Sequence, residues 1–386
     1  MTWFQEDNVE QRSRMGRLNI HEKLMHISWM MIFVICLIAS VGFAMLYSAA
    51  DGLRPWAQPQ MIRFGMGMVV LLAVAVIDIR WWMRISYWFY VICLVLLVVV
   101  EFKGHIGMGA QRWINLGFMR LQPSELMKIA LILALARYFH SSSLDDVRSI
   151  RHLFIPLLLI ALPAIFVLRQ PDLGTTLMLV VAGAVVFFLS GVQLWKFGVV
   201  IGLGAASIPV AWQFLHQYQK NRVLTFLDPE RDPLGTGYHI IQSKIALGSG
   251  GFFGKGLQQG TQSQLNFLPE KQTDFIFTML GEETGMVGGL ALIFLYVVLL
   301  ILCYAIAARI RNQFGRLMSI ALLTNFFLYV FINIAMVMGL LPVVGVPLPL
   351  VSYGGTAMLT LLFGFGLIMS AYVHKDVPMG LRSAYQ

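Results

Sequence analysis

Apolar runs long enough to form membrane helices alternate with short polar segments along almost the whole chain. A hydrocarbon core about 30 Å thick needs about 20 apolar residues in a helix. That ruler predicts ten spans: 25–48, 60–78, 83–101, 125–140, 153–168, 175–191, 194–213, 275–305, 316–341 and 356–373. The fourth is short. The eighth is long and contains Glu282 and Glu283, which predicts either a tilt or a cavity beside its first turns. The fold class is therefore an all-α integral membrane protein of about ten transmembrane helices. A large extracytoplasmic loop, about 214–274, separates the seventh from the eighth. The expected organisation is a cytoplasmic N-terminal segment 1–24, one membrane domain 25–373 and a cytoplasmic tail 374–386.

Composition agrees. Of 386 residues, 58% are hydrophobic and 12% charged, with mean hydropathy +0.75, leaving no stretch that reads as a separate soluble domain. The polar N-terminus does not read as a cleavable signal. Cys36, Cys93 and Cys303 all sit in apolar runs without ligand spacing, as small core residues do.

Charge sets the orientation. Arg12, Arg14, Arg17, Lys23, Arg80, Arg84, Arg148, Arg151, Arg309, Arg311, Arg316, Lys375 and Arg382 all fall on one side of the ten-span arrangement. The positive-inside rule makes that side cytoplasmic, with both termini there. The other side is also basic. Lys220 and Arg231 lie in a long loop that escapes the rule, whereas Arg112, Arg120 and Arg169 lie in shorter loops near apolar segments. The net charge of +9 and this outer basic set point to an anionic ligand on the outer face.

Four clusters carry candidate chemistry. In 109–128, Pro123 suits the first turn of a helix behind Gln122, and Glu125 and Lys128 share a face three residues apart. In 169–176, Asp172 is either a helix cap or a site carboxylate, with Arg169 beside it to neutralise it or to bind phosphate. In 260–277, a polar turn-rich stretch ends at Asp274, where an apolar span begins. In 341–357, three prolines and three glycines exclude a regular helix, so the segment lines a cavity or packs inside protein. Between them, Ile240–Leu247 reads as a short amphipathic helix followed by glycines. No phosphate-binding Gly-rich loop, dinucleotide fingerprint or zinc-protease motif is present. His105, His216 and His239 have no assigned role.

Together these motifs resemble the SEDS family (shape, elongation, division and sporulation), and within it the elongation, RodA-like branch. The resemblance rests on GAQRW, QPSELMKIA, RQPDLGT, LDPERDPLGTGYHIIQSKIALGSGG, GTQSQLNFLPEKQTDFIF and VGVPLPLVSYGG, in the family's order from about residue 25 to 373. It implies a peptidoglycan glycosyltransferase that polymerises lipid II on the outer face of the bacterial inner membrane, alongside a class B penicillin-binding protein. Other elongation-complex membrane proteins and membrane lipids are further implied partners; nucleic acid is not. The family's essential acidic residue falls on Asp274.

The residue chemistry suits that activity. Inversion from an α-linked undecaprenyl pyrophosphate donor to a β-1,4 product needs one base, and cations for the departing pyrophosphate. Asp274 is the expected base, or instead a metal ligand; the sequence leaves both open. Arg112, Lys128 and Arg169 are the expected pyrophosphate contacts, with Arg120 and Gln122 beside them. Glu125 and Asp172 would order these cations or help hold Mg²⁺ or Mn²⁺. Lys244 and Gln262 are candidates for sugar or phosphate contact. Gly285 and Gly289 put small residues on span eight, where a helix of the penicillin-binding protein is expected to dock near spans eight and nine. The rival readings are a lipid II flippase or other transporter, and, ranked last, a scaffold that only recruits partners.

Overall fold

The computed structural model describes residues 19–107, 110–115, 117, 120–170, 172–214, 217–228, 236–265, 267, 270–377 and 379. Arg12, Arg14, Arg17, His216, Arg231 and Arg382 lie outside them.

All ten predicted segments are helical. In chain order the helices begin with α1 (Ile20–Met25), α2 (Trp29–Ala49), α3 (Ala57–Val76) and α4 (Ile79–Lys103). A small antiparallel sheet follows, β1 (His105–Gly107), β2 (Ala110–Asn115) and β3 (Arg120–Leu121) in the order β1-β2-β3. Next come α5 (Pro123–His140), α6 (Leu144–Arg148), α7 (Ile150–Arg169), α8 (Leu173–Leu189) and α9 (Leu194–Phe214). The large loop contains α10 (Gln217–Leu227), α11 (Thr236–Ser249) and α12 (Thr261–Gln264). The chain returns through α13 (Ile276–Ala308), α14 (Gln313–Val337) and α15 (Gly355–Val373). Among the described residues seven of these, α2, α3, α4, α7, α13, α14 and α15, are both long and apolar enough to cross a membrane; α8 and most of α9 are shorter apolar helices.

The short fourth segment is the centre of the bundle. Almost all of α5 is buried, packed by α4, α8 and α14. A helix enclosed by protein need not present an apolar face to lipid, which is why its hydropathy is weak despite its position. Large apolar side chains such as Phe33, Val69, Trp88, Ile155, Phe294 and Ile301 face outward on the surrounding helices, as lipid-facing residues do. α3 and α15 approach closely because a glycine on each admits the other helix: a Cβ at Gly67 would lie 2.3 Å from Leu362 Cδ1, and one at Gly366 would lie 2.9 Å from the Leu71 carbonyl.

The long eighth segment is neither simply tilted nor straight. α13 breaks at Gly285, where φ is 70° and ψ is −165°. The glycine loop after α11 fills the break. Lys255 and Gly256 donate to the Glu282 and Glu283 carbonyls at 3.1 and 3.0 Å, and Met286 and Val287 donate to Gly251 and Phe252 at 2.9 and 3.1 Å. The loop thus replaces the bonds the helix loses, as irregular backbone at membrane depth requires. This corrects the expected role of the small residues on this span. Gly285 is buried against residues 252–254 of its own chain, and Gly289 is buried beside Phe277. Neither is an open docking stripe for a partner helix.

Candidate active site

The site is assembled around the Pro/Gly segment that separates α14 from α15. With no continuous helix there, its backbone groups bond outward. Leu348 N–H donates to Ser352 Oγ at 2.7 Å, and that hydroxyl donates to the Thr273 carbonyl at 2.6 Å. Tyr353 N–H donates to the Gln272 carbonyl at 2.8 Å. The Tyr296 hydroxyl donates to the Pro349 carbonyl at 2.6 Å, and Gln60 Nε2 donates to the Ser352 carbonyl at 2.9 Å. The turn leading to Asp274 is therefore stitched directly onto 348–353.

Asp274 itself is half-buried just before α13. Asn333, fully buried on α14, donates to the Asp274 carbonyl at 2.9 Å and to the Val346 carbonyl at 2.7 Å. Gly345 has φ +73°, and a Cβ there would sit 3.5 Å from Asp274 Oδ2. The carboxylate thus faces Gly345, a position without a side chain. Nearby Lys271 is 8% exposed. Burial pulls its ammonium below the usual lysine value, while Asp51 and Glu283 act in the opposite direction.

On the other side of the same segment lies a second polar group. A Cβ at Gly174 of α8 would be 3.1 Å from Val346 Cγ2 and 3.2 Å from the Val344 carbonyl, so the start of α8 abuts 344–346. Asp172 caps α8, accepting from Thr175 N–H at 3.1 Å. Its Oδ2 lies 3.7 Å from Arg112 of β2 and 3.5 Å from Gln122 Nε2. Arg112 also donates to the Gln170 carbonyl at 2.9 Å. Asp172 is a helix cap that also faces a cation. Its neutralising partner is Arg112 and not Arg169, which is turned out, 66% exposed, towards Glu101 at 3.6 Å. Arg120 is exposed on β3, and its carbonyl accepts from Thr356 at 2.7 Å.

Glu125 and Lys128 lie inside the bundle and not at its outer surface. Lys128 is 1% exposed and donates to Glu125 Oε1 at 2.7 Å. The Tyr329 hydroxyl of α14 bonds both partners. An adjoining cavity of about 20 Å³, lined also by Asn325 and Thr360, has room for about one water. Lys128 is thus a buried ion-pair member, and the expectation that it contacts pyrophosphate finds it enclosed. Lys244 is exposed on α11, its stem lying over Gly339 at the end of α14. Gln262 is tied to Glu282, which accepts from Gln262 N–H at 2.8 Å and from Lys255 Nζ at 2.9 Å.

Two of the three carboxylates expected near a metal have protein partners. Glu125 is committed to Lys128 and Tyr329, and Asp172 to Arg112 and its cap. Among the described residues no three His, Cys, Asp or Glu side chains group as metal ligands.

Three polar positions escaped the sequence reading. Asn325, Tyr329 and Asn333 recur every four residues on α14, a polar stripe in an apolar span that marks an inward face. Arg63, alone in the apolar run of α3, is a second such signal. The β-sheet carrying Arg112 and Arg120 had no usable signal, because its strands are two to six residues long.

A helical bundle of seven long apolar helices among the described residues, with polar groups gathered from interhelical segments, defines a polytopic membrane protein. The family of FtsW/RodA/SpoVE cell cycle proteins matches residues 22–377, and the chain belongs to that family. It is 46% identical over 353 residues to the peptidoglycan glycosyltransferase MrdB of Escherichia coli K12, covering 91% of this chain and 95% of that one. Its fold matches a chain of a peptidoglycan synthase complex that coordinates polymerization and crosslinking, with TM-score 0.78, 33% identity, and 91% and 98% of the two chains covered. It also matches the rod shape determining protein RodA of Thermus thermophilus, with TM-score 0.69, 28% identity, and 92% and 98% covered. The chain is a multi-pass protein of the bacterial membrane.

Proposed function

We propose that this protein is a peptidoglycan glycosyltransferase that polymerises lipid II into glycan strands during cell elongation and rod-shape maintenance. The observation that carries the reading is the convergence on one Pro/Gly segment of Asp274 from one side and the Arg112–Asp172–Gln122 group from the other. A placed carboxylate and a basic group, separated by side-chain-poor backbone, suit a sugar acceptor and an anionic leaving group.

In this reading Asp274 accepts the proton of the acceptor 4-hydroxyl as its oxygen attacks the donor anomeric carbon. The bond from that carbon to the pyrophosphate oxygen breaks, and the configuration inverts. A typical general base contributes roughly 10²–10⁴-fold. Arg112, with Arg120 close by, draws the departing pyrophosphate. Asn333 and Ser352 fix the backbone that aims Asp274. A divalent cation enters this proposal as an ion carried on the substrate's phosphates, since Mg²⁺ is commonly held by one or two carboxylates plus substrate phosphates. The site faces the periplasm and both termini the cytoplasm, on the charge argument. The partner is a class B penicillin-binding protein, supported by the synthase complex among the similar structures.

Nothing favours the transporter reading. Glu125, Lys128 and Tyr329, buried inside the bundle, bond to one another.

The test is polymerisation of purified lipid II by the parent protein and Asp274→Asn, each with the cognate class B partner, with and without EDTA. Glycan strands from the parent alone are expected, lost on chelation. Equal strands from a folded Asp274→Asn remove Asp274 as base, and strands that survive EDTA remove the cation.

A further inference from the structure

Arg63 is a cation that none of the roles above uses. It sits two turns inside α3, in an apolar helix that faces α15. Its guanidinium lies over the Tyr353 ring, 4.8 Å from the centroid. Its Nη1 is shielded from solvent and has no hydrogen-bond partner among the described residues. A guanidinium carries five N–H donors and no acceptor, so an enclosed donor left unmade is costly and marks a place for an acceptor.

A Cβ at Gly355 would lie 3.2 Å from Arg63 Nε and 3.4 Å from Cζ, so the absence of a side chain there is what admits the guanidinium. Gln60, one turn earlier and fully buried, pins the same stretch by bonding the Ser352 carbonyl. The ring beneath holds the cation by its face, and the enclosed Nη1 still lacks an acceptor among the described residues. Tyr353 N–H bonds Gln272, two residues before Asp274. Arg63 therefore stands one residue contact from the turn that carries the carboxylate.

We propose that Arg63 is a phosphate-binding residue of this site, taking an oxygen of the pyrophosphate that links a sugar to its polyprenyl carrier. This deepens the glycosyltransferase reading and rests on it for the identity of the lipid. The chemistry of the contact is that of a fork-shaped cation with a phosphate oxygen.

The experiment uses the full-length protein in detergent and three probes: undecaprenyl pyrophosphate, undecaprenol and inorganic pyrophosphate. Binding is compared for the parent, Arg63→Met and Arg63→Lys. Arg63→Met keeps the stem on Tyr353 but removes every donor, and is expected to bind the pyrophosphate lipid roughly 10–100-fold more weakly, the size of one charged hydrogen bond. Arg63→Lys should recover part of the loss. Inorganic pyrophosphate showing the same Arg63 dependence assigns the contact to the phosphates alone; dependence seen only with the lipid assigns it to the carrier-linked form. In the unmodified protein, undecaprenyl pyrophosphate should shield Arg63 from phenylglyoxal, read by mass spectrometry, and undecaprenol should not. This holds whether or not Arg63→Met folds. Equal affinity of a folded Arg63→Met, or no shielding in the parent, overturns the proposal. A parent that shows Arg63-dependent binding yet makes no glycan strands leaves the phosphate site standing and removes the glycosyltransferase reading.

Discussion

Replacing Gly285 by alanine tests the broken helix directly. Its φ of 70° with ψ of −165° lies in a region essentially reserved for glycine, where other residues cost about 1–3 kcal/mol. The added methyl would stand 2.3 Å from Gly254 N and 2.5 Å from the Phe252 carbonyl oxygen. Both are backbone atoms, so relief requires the 252–254 loop to move. That movement threatens four backbone hydrogen bonds across the break, at Gly251, Phe252, Lys255 and Gly256. At a net worth of about 1 kcal/mol each, losing two or three of them brings the total to about 3–6 kcal/mol. Gly289→Ala is the matched control on the same helix, because its methyl would meet only Phe277 Cζ at 3.6 Å, an ordinary contact. Thermal unfolding in detergent should show Gly285→Ala falling by more than about 5 °C and Gly289→Ala staying within about 2 °C. Equal melting temperatures for the two variants would refute the reasoning, and would return both glycines to the reading in which they serve a partner helix.

Asn333→Ala removes the donor to two enclosed carbonyls, those of Asp274 and Val346, and should cost about 2–5 kcal/mol in unfolding while lowering polymerisation; wild-type turnover in the folded variant would show that Asn333 does not aim Asp274. Lys128→Met strands the Glu125 carboxylate inside the bundle and should cost about 3–5 kcal/mol, of which a second change, Glu125→Gln, should recover a large part. Additive losses in that double-mutant cycle would mean the pair is not coupled. His374, just beyond α15 and 2% exposed, has its imidazole pulled below the usual value of 6.5, chiefly by burial, with Asp78 acting against this and Lys23 and Arg80 with it. The folded state then binds the proton less readily than the unfolded one, so this contribution is complete above about pH 6.5 and is lost as pH falls through the lowered folded value. Unfolding followed across that window should lose its acid slope in His374→Gln; an unchanged slope assigns it to other groups.

The sequence by itself determined the ten helical segments, because hydropathy over about 20 residues is a local property and lipid enforces it one helix at a time. It also determined that Asp274, Asp172 and Arg112 stand in interhelical segments, since turn formers and caps act over three or four residues. The tertiary structure alone decided how they meet. Asp274 and Asp172 are 102 positions apart in the chain and both come to 344–346, Gly174 allowing the start of α8 to approach closely there. It likewise sent Arg112 to Asp172 and Arg169 away to Glu101, a choice between two arginines that neighbouring positions in sequence invert. It placed Glu125 and Lys128 with Tyr329 from another helix, and turned the small residues of α13 towards their own chain. Each of these depends on close approach between segments far apart in sequence, and such packing is a property of the assembled bundle that no local pattern encodes.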